Sequence, residues 1–241
     1  VYCYTGHTGM IAATILNTLG YNAVDLKYGI MGWSKNDKVL AIPRFKTVND
    51  FPLEKQANSA QGGHAYPALD VTGNTPAEKV LNAASAYLAS GKPATMAPDK
   101  LYALLNDGDK SNDPVIVSVR MPQHYALGHI PGAINIPWKE ITKPENLAKL
   151  PKDKQIVVYC YTGHTGMIAA TLLNLLGYNA VDLKFGIMNW TKDDKVLAIP
   201  RYNVATAPDY PVVGSATAKP KETAAFAAVL QAEDAYLAQG R

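Results

Sequence analysis

Residues 1–45 recur at 158–202 with a constant offset of 157. The two stretches differ at seven positions (15, 18, 28, 32, 34, 36 and 45 of the first copy), so 38 of 45 residues are identical. A duplication this close constrains the chain more than any other feature, because both copies must fold alike and each must cover the same apolar faces. Most of the exchanges are conservative, such as Ile15 against Leu172 and Tyr28 against Phe185. Beyond the block the copies diverge but stay parallel. Asp50-Phe51-Pro52 answers Asp209-Tyr210-Pro211, and Ala86 to Gly91 answers Ala235 to Gly240. The expected organisation is therefore the back half of a first repeat with a linker helix over 1–91, then a complete unit with a C-terminal helical extension over 92–241. A half unit of this kind exposes backbone edges and apolar surface and is not expected to be stable alone. Truncation, a front half on a separate piece, or exchange between subunits of a homo-oligomer would each account for it. Within the chain, the front half over 92–157 is expected to pair with 158–202, in ordinary chain order, rather than with 1–45.

Composition narrows the function classes. The 241 residues carry a net charge of +3 and are 48% hydrophobic and 18% charged, which excludes a disordered tail. There is no basic cluster to track phosphates, so nucleic acid is not an expected partner, and no apolar run reaches the length of a membrane span. Two cysteines, Cys3 and Cys160, exclude a disulfide scaffold and a four-cysteine zinc site, and no metal is expected. The chain opens on Val1-Tyr2-Cys3, strand-like and without a signal peptide. Its many Tyr, Ala and Pro residues and low charge favour a periplasmic or extracellular bacterial protein over a cytoplasmic one.

Periodicity in the complete unit gives alternating elements. Helices are expected over 97–106, 145–150 and 167–176, and buried strands over 115–119, 134–137, 155–159 and 180–184. Thr75-Pro76-Ala77-Glu78 starts a joining helix over 76–90 with a capping box and Pro in its first turn. Strands alternating with helices indicate an α/β fold, an open parallel sheet with helices on both faces. Such sheets place their sites at the carboxyl ends of strands, where Cys160 falls.

The segment Cys160-Tyr161-Thr162-Gly163-His164-Thr165-Gly166 repeats as Cys3-Tyr4-Thr5-Gly6-His7-Thr8-Gly9. A strand, a cysteine, a loop of small residues and then a helix make an anion cradle, with loop amides and the helix's positive end converging. A thiol seated there is expected to ionise readily and to attack a bound oxyanion through its sulfur or phosphorus. The alternatives are a buried structural cysteine or, from the Cys-x-x-x-His spacing, a metal ligand.

Val117-Ser118-Val119-Arg120, His124-Tyr125 and Gly128 to Pro137 resemble the front signature of a rhodanese domain. Cys160 to Gly166, Leu183-Lys184-Phe185-Gly186 and Trp190 resemble its back signature. The resemblance covers about 97–195, and 1–38 in part, as a tandem member with a truncated first repeat. It implies sulfur transfer: a cysteine thiolate takes the outer sulfur of a donor such as thiosulfate, becomes a persulfide, and passes the sulfur to cyanide, a thiol or a protein, without metal or organic cofactor. Carried onto this chain, Cys160 is the nucleophile and Cys3 its counterpart. Tyr161, Thr162, Gly163, His164, Thr165 and Gly166 cradle the donor, with Arg120 as a further substrate contact. Tyr4, Thr5, Gly6, His7, Thr8 and Gly9 form the second loop. Phosphatases of this fold place arginine six residues after the cysteine, where this chain has Gly166 and Gly9, so phosphate esters are not the expected substrate. Ser118 stands where the family usually has Asp, and the loop has no Arg or Lys. Thiosulfate therefore need not be the natural donor, and activity is expected to fall as pH rises through the pKa of His164. The competing reading is a weakly or non-catalytic rhodanese-like module for sulfur carriage, partner binding or repeat-based assembly.

Overall fold

A computed structural model of the chain describes residues 1–46 and 49–213. The expected C-terminal helical extension, with the counterpart of Ala86 to Gly91, lies outside the described residues. Three helices precede the sheet: α1 (His7–Thr18), α2 (Gly29–Trp33) and α3 (Pro76–Ala89). The strands are β1 (Thr95–Met96), β2 (Val115–Ser118), β3 (Ile134–Asn135), β4 (Gln155–Tyr159) and β5 (Asn179–Leu183). Between and after them run α4 (Pro98–Leu105), α5 (Pro122–Ala126), α6 (Pro144–Leu147), α7 (His164–Leu175), α8 (Gly186–Trp190) and α9 (Asp194–Leu197).

The sheet order is β1-β5-β4-β2-β3 and every pairing is parallel. β2 lies beside β4, with Val115 opposite Ile156 and Ser118 opposite Tyr159, so the front half pairs with the downstream copy. Both faces are covered, which is why these strands read as continuous apolar runs rather than alternating ones. From β4, Val157 and Tyr159 join a core with Met96, Leu101, Val181 and Trp190. Ile156, Val158 and Cys160 join the opposite one with Val117, Val119, Ala169 and Leu173.

The half repeat differs from its twin in one respect that sequence does not show. Val1 to Cys3, expected to be strand-like, form no strand, and the ladder is reduced to two hydrogen bonds at Val1, from Leu26 N–H to Val1 O at 2.9 Å and from the Val1 amino group to Val24 O at 2.8 Å. Tyr2 is 65% exposed, whereas Tyr159, its counterpart, is fully buried. A strand needs a neighbour, and the first copy has no equivalent of β2 beside it.

The half repeat instead packs on the complete unit. Ile11 and Ile15 of α1 form a small core with Met167 of α7 and Ala84 and Tyr87 of α3. α3 opens with the expected capping box between Thr75 and Glu78. The segments trailing the two repeats are exchanged. Asp50 Oδ1 accepts from Thr191 Oγ1 and Lys192 N–H, and Asp209 Oδ1 accepts from Ser34 Oγ and Lys35 N–H. In the same way Trp190 Nε1 donates to Pro52 O at 2.8 Å, and Trp33 Nε1 to Pro211 O at 3.1 Å. This reciprocity is that of an isologous interface, here within one chain.

Phe45 lies at the centre of the join, 9% exposed, its ring 4.4 Å from that of Phe185 and 6.3 Å from that of Tyr202. Phe45→Ala is expected to lower the unfolding free energy by about 3–5 kcal/mol, as for a large buried aromatic. Denaturant unfolding checks this, and a loss below about 1 kcal/mol would show that the join does not carry the fold.

Candidate active site

β4 ends at Tyr159, and the chain turns through Cys160 to Gly163 before α7 begins. The helix starts at His164, three residues earlier than its apolar periodicity indicates, so His164, Thr165 and Gly166 form its first turn rather than a loop. Gly163 makes this possible. It holds φ at 87°, a conformation that side chains disfavour, and its N–H donates to Cys160 Sγ at 3.1 Å. Gly6 repeats both features, with φ at 86° and the same 3.1 Å contact to Cys3 Sγ. The first turn of α8 holds the loop from below: Ile187 and Met188 donate backbone N–H groups to the carbonyls of Cys160 and Tyr161, each at 3.0 Å.

The two thiols differ in exposure. Cys160 is 1% exposed and Cys3 is partly open. Half-burial pushes the Cys3 thiol up, but hydrogen bonds from the Thr8 hydroxyl and the amides of Gly9, Thr5 and Gly6 outweigh it, and its pKa is lowered. Tyr28 of the half repeat stands over the Cys160 loop, its hydroxyl 3.9 Å from Met188 Sδ. Burial, then the nearby Cys160, pushes the Tyr28 phenol up to about 12.

The two histidine rings bond across the repeat boundary. His164 Nε2 accepts from the Tyr28 N–H at 3.0 Å, and His7 Nε2 accepts from the Phe185 N–H at 3.1 Å, so each ring crosses into the other repeat. With Nε2 accepting, Nδ1 carries the proton, and it faces Thr162 Oγ1 at 2.8 Å in one ring and Thr5 Oγ1 at 2.9 Å in the other. The rings stack at 5.8 Å. Burial, then the nearby Lys27 charge, lowers the pKa of His164 to about 4. Burial, then the His164 and Lys184 charges, lowers that of His7 to about 3. Both nitrogens of the His164 ring, expected to contact the donor, are engaged within the protein in this structure. Thr162 and Thr5 orient these rings rather than a ligand.

Arg120 is also reassigned. It is fully buried, and its guanidinium donates to the carbonyls of Gly128 and Val196 and lies against the rings of Tyr159 and Tyr161. It ties α9 to the turn before β3. Tyr161 bonds through its hydroxyl to His124 Nδ1 at 2.6 Å and the Met121 N–H at 3.1 Å. Tyr4, its counterpart, is 48% exposed, and Thr8 is exposed. Tyr161 and Thr165 open onto a cavity of about 450 Å³ walled by Val119, Met121, Trp138 and Lys139.

Sequence reading missed three residues. Lys139 brings a cation to that cavity although the loop has none. Tyr28 reaches the Cys160 loop from 132 positions upstream, which no local pattern signals. Asp182 had a signal, a lone acid inside an apolar strand, repeated as Asp25. Gly166 and Gly9 lie against these carboxylates, with the position of an added Cβ 2.1 Å from Oδ1 in each case.

Known proteins resemble the complete unit. A family model described as a rhodanese-like domain matches residues 97–193. The probable adenylyltransferase/sulfurtransferase MoeZ of Mycobacterium tuberculosis is 36% identical over 104 residues, which are 43% of this chain and 26% of that protein. This chain therefore spans about a quarter of that relative. A sulfurtransferase of Allochromatium vinosum is 32% identical over 91 residues, covering 37% of this chain and 83% of that one. The thiosulfate sulfurtransferase PspE of Escherichia coli is 35% identical over 71 residues, covering 30% and 68% respectively. Among solved structures, the human single-domain sulfurtransferase TSTD1 matches with a TM-score of 0.36 at 26% identity, covering 42% of this chain and 97% of that one.

The histidine pair dictates a pH dependence of stability. Both folded-state values lie below the ordinary 6.5, so the unfolded chain binds more protons between that value and about 4. Stability is full above pH 6.5 and is expected to fall by about 2 kcal/mol per histidine between pH 7 and pH 5. Denaturant titrations across that range check the loss, and His164→Gln is expected to remove one histidine's share of the slope. An unchanged slope in that variant would contradict the assignment.

Proposed function

The chain belongs to the rhodanese-like family, and from that premise we propose that it is a sulfurtransferase carrying a sulfane sulfur on Cys160. The donor is thiosulfate or a similar sulfane compound, and the acceptor is cyanide, a thiol or a protein. Cys160 Sγ attacks as the thiolate on the outer sulfur of the donor. A new S–S bond forms, the donor's own S–S bond breaks, and sulfite leaves with the bonding electrons. Cyanide then takes the outer sulfur as thiocyanate and returns the thiolate. The sulfur is carried covalently, so the cycle needs no metal or organic cofactor.

One observation carries this reading: the Gly163 N–H aimed at Cys160 Sγ at the positive end of a twelve-residue helix. The cavity beside Tyr161 and Thr165 gives a donor somewhere to sit, and Lys139 supplies a positive charge for its sulfonate end.

The burial of Cys160, 1% exposed, favours a second reading, a module that holds or presents its cysteine without turnover. Incubation with thiosulfate and cyanide separates the two. Thiocyanate is expected from the wild-type chain and should drop at least about a hundredfold in Cys160→Ser, the scale of losing a nucleophile. No thiocyanate, together with no added sulfur on Cys160 by intact mass, would favour the module. Lys139→Ala is expected to raise KM for thiosulfate about threefold or more with kcat little changed, as for removal of a binding contact. An unaltered KM would remove Lys139 from the site.

A further inference from the structure

Asp182 is the one buried acid beside the described loop whose chemistry the reaction above leaves unused. It stands opposite Val158 in the β4–β5 register, so its side chain leaves the sheet on the same face as Val158 and, two residues on, Cys160. It is fully buried, and neither carboxyl oxygen has a hydrogen-bond partner among the described residues. A charged carboxylate in that setting is costly, whereas a protonated one is tolerable.

The seat is shaped by two loop glycines. A Cβ at Gly166 would lie 2.1 Å from Asp182 Oδ1 and 3.2 Å from the Cys160 amide nitrogen; one at Gly163 would lie 3.0 Å from Oδ2. The charged and titratable groups acting around the carboxyl are Cys160, on the same face of the sheet, and, across the repeat boundary, His7 Nε2 at 3.9 Å from Oδ2, a ring held neutral. Lys184 is exposed beyond the strand end and acts on His7. Burial first, and the Cys160 charge second, raise Asp182 well above the carboxylate range. Asp25 repeats the arrangement against Gly6, Gly9 and Cys3, with both oxygens again unpartnered. Being half-buried, with burial raising it and the N-terminal charge opposing, it is pushed up only to about 6.

We propose that Asp182 is the proton-holding partner of Cys160, so that the pair carries one negative charge throughout the cycle. Asp182 keeps its own O–H while the S–H bond of Cys160 breaks and that proton passes to water, leaving Sγ as the attacking anion with no carboxylate charge beside it. When the persulfide forms, the charge moves to its outer sulfur and Asp182 keeps its proton. Asp182 thus acts through Cys160 as a positioning residue. The inference rests on the sulfur-transfer reading for its purpose, but not for its test.

The test uses the full chain, without any sulfur donor. Alkylation of Cys160 by iodoacetamide is followed against pH by mass spectrometry of tryptic peptides, in the wild type and in Asp182→Asn, which keeps the shape and removes the charge. The Cys3 peptide differs in sequence and serves as the internal reference. Two interacting groups titrate in two steps, so the wild-type rate is expected to rise in two steps and that of Asp182→Asn in one, with Cys3 unchanged. Superimposable Cys160 profiles would overturn the proposal. Infrared difference spectra give a second measurement. A protonated carboxylic-acid band is expected at neutral pH, absent in Asp182→Asn and titrating at lower pH in Cys160→Ser. Should Cys160 resist alkylation at every pH, the infrared result decides, and the absence of such a band overturns the proposal. If thiocyanate is never formed while these shifts appear, the sulfur-transfer reading falls and the proton pairing stands; the opposite pattern separates them the other way.

Discussion

Two hydrogen bonds, a partly buried one from the Tyr28 N–H to His164 and a buried one from the Phe185 N–H to His7, hold the structure in register. Both donors belong to aromatic residues at φ 63°, a left-handed conformation that costs about 1–2 kcal/mol outside glycine and persists where its surroundings dictate it. Buried amides must find an acceptor, and here the acceptor belongs to the other repeat. The rings fit because Gly6 and Gly163 have no side chain: a Cβ on either would lie 2.4 Å from the opposing Nε2. The same glycines place their N–H groups on the cysteine sulfurs. The contact between repeats and the geometry around each sulfur are therefore set by one pair of residues.

What the sequence made legible is what local pattern determines. The β-branched runs at 115–119 and 155–159, the lone Gly177 ending α7 and the Thr75–Glu78 cap each carry their cause within a few residues, and the structure has elements there. The parallel sheet followed from their alternation. What failed depends on distant neighbours. Val1-Tyr2-Cys3 and Val158-Tyr159-Cys160 are identical, yet only the second continues a strand, because β2 stands beside it. α5, α8 and α9 are too short to show a period, and α7 begins at a glycine whose left-handed turn periodicity cannot reveal. The cysteine loop was visible as a pattern. The duty of its histidine was not, since the partner lies 136 residues away. Arg120 misled because a long cation reads as a ligand contact, whereas its reach here ends on two carbonyls inside the protein.

The positions at which the repeats have drifted obey the same physics. Ser34 against Thr191 keeps a hydroxyl that bonds the exchanged aspartate. Asn36 against Asp193 keeps an oxygen that accepts the N–H two residues on. Phe45 against Tyr202 keeps a ring in the central cluster and adds a hydroxyl that donates to Met31 O at 2.9 Å. The first and third exchanges preserve contacts made across the join, and the second preserves a local turn.

The pair Tyr28 and Phe185 is different in kind. Both hold φ at 63° and both N–H groups bond the opposing histidine, but one carries a phenol close to Cys160 and the other ends in carbon against the His7 ring. The two cysteine loops share one sequence, yet exposure and this one oxygen atom together make their surroundings unlike. Two loops of one sequence thus present their sulfurs differently, one shut in and one partly open, which is how a duplicated design begins to divide its labour.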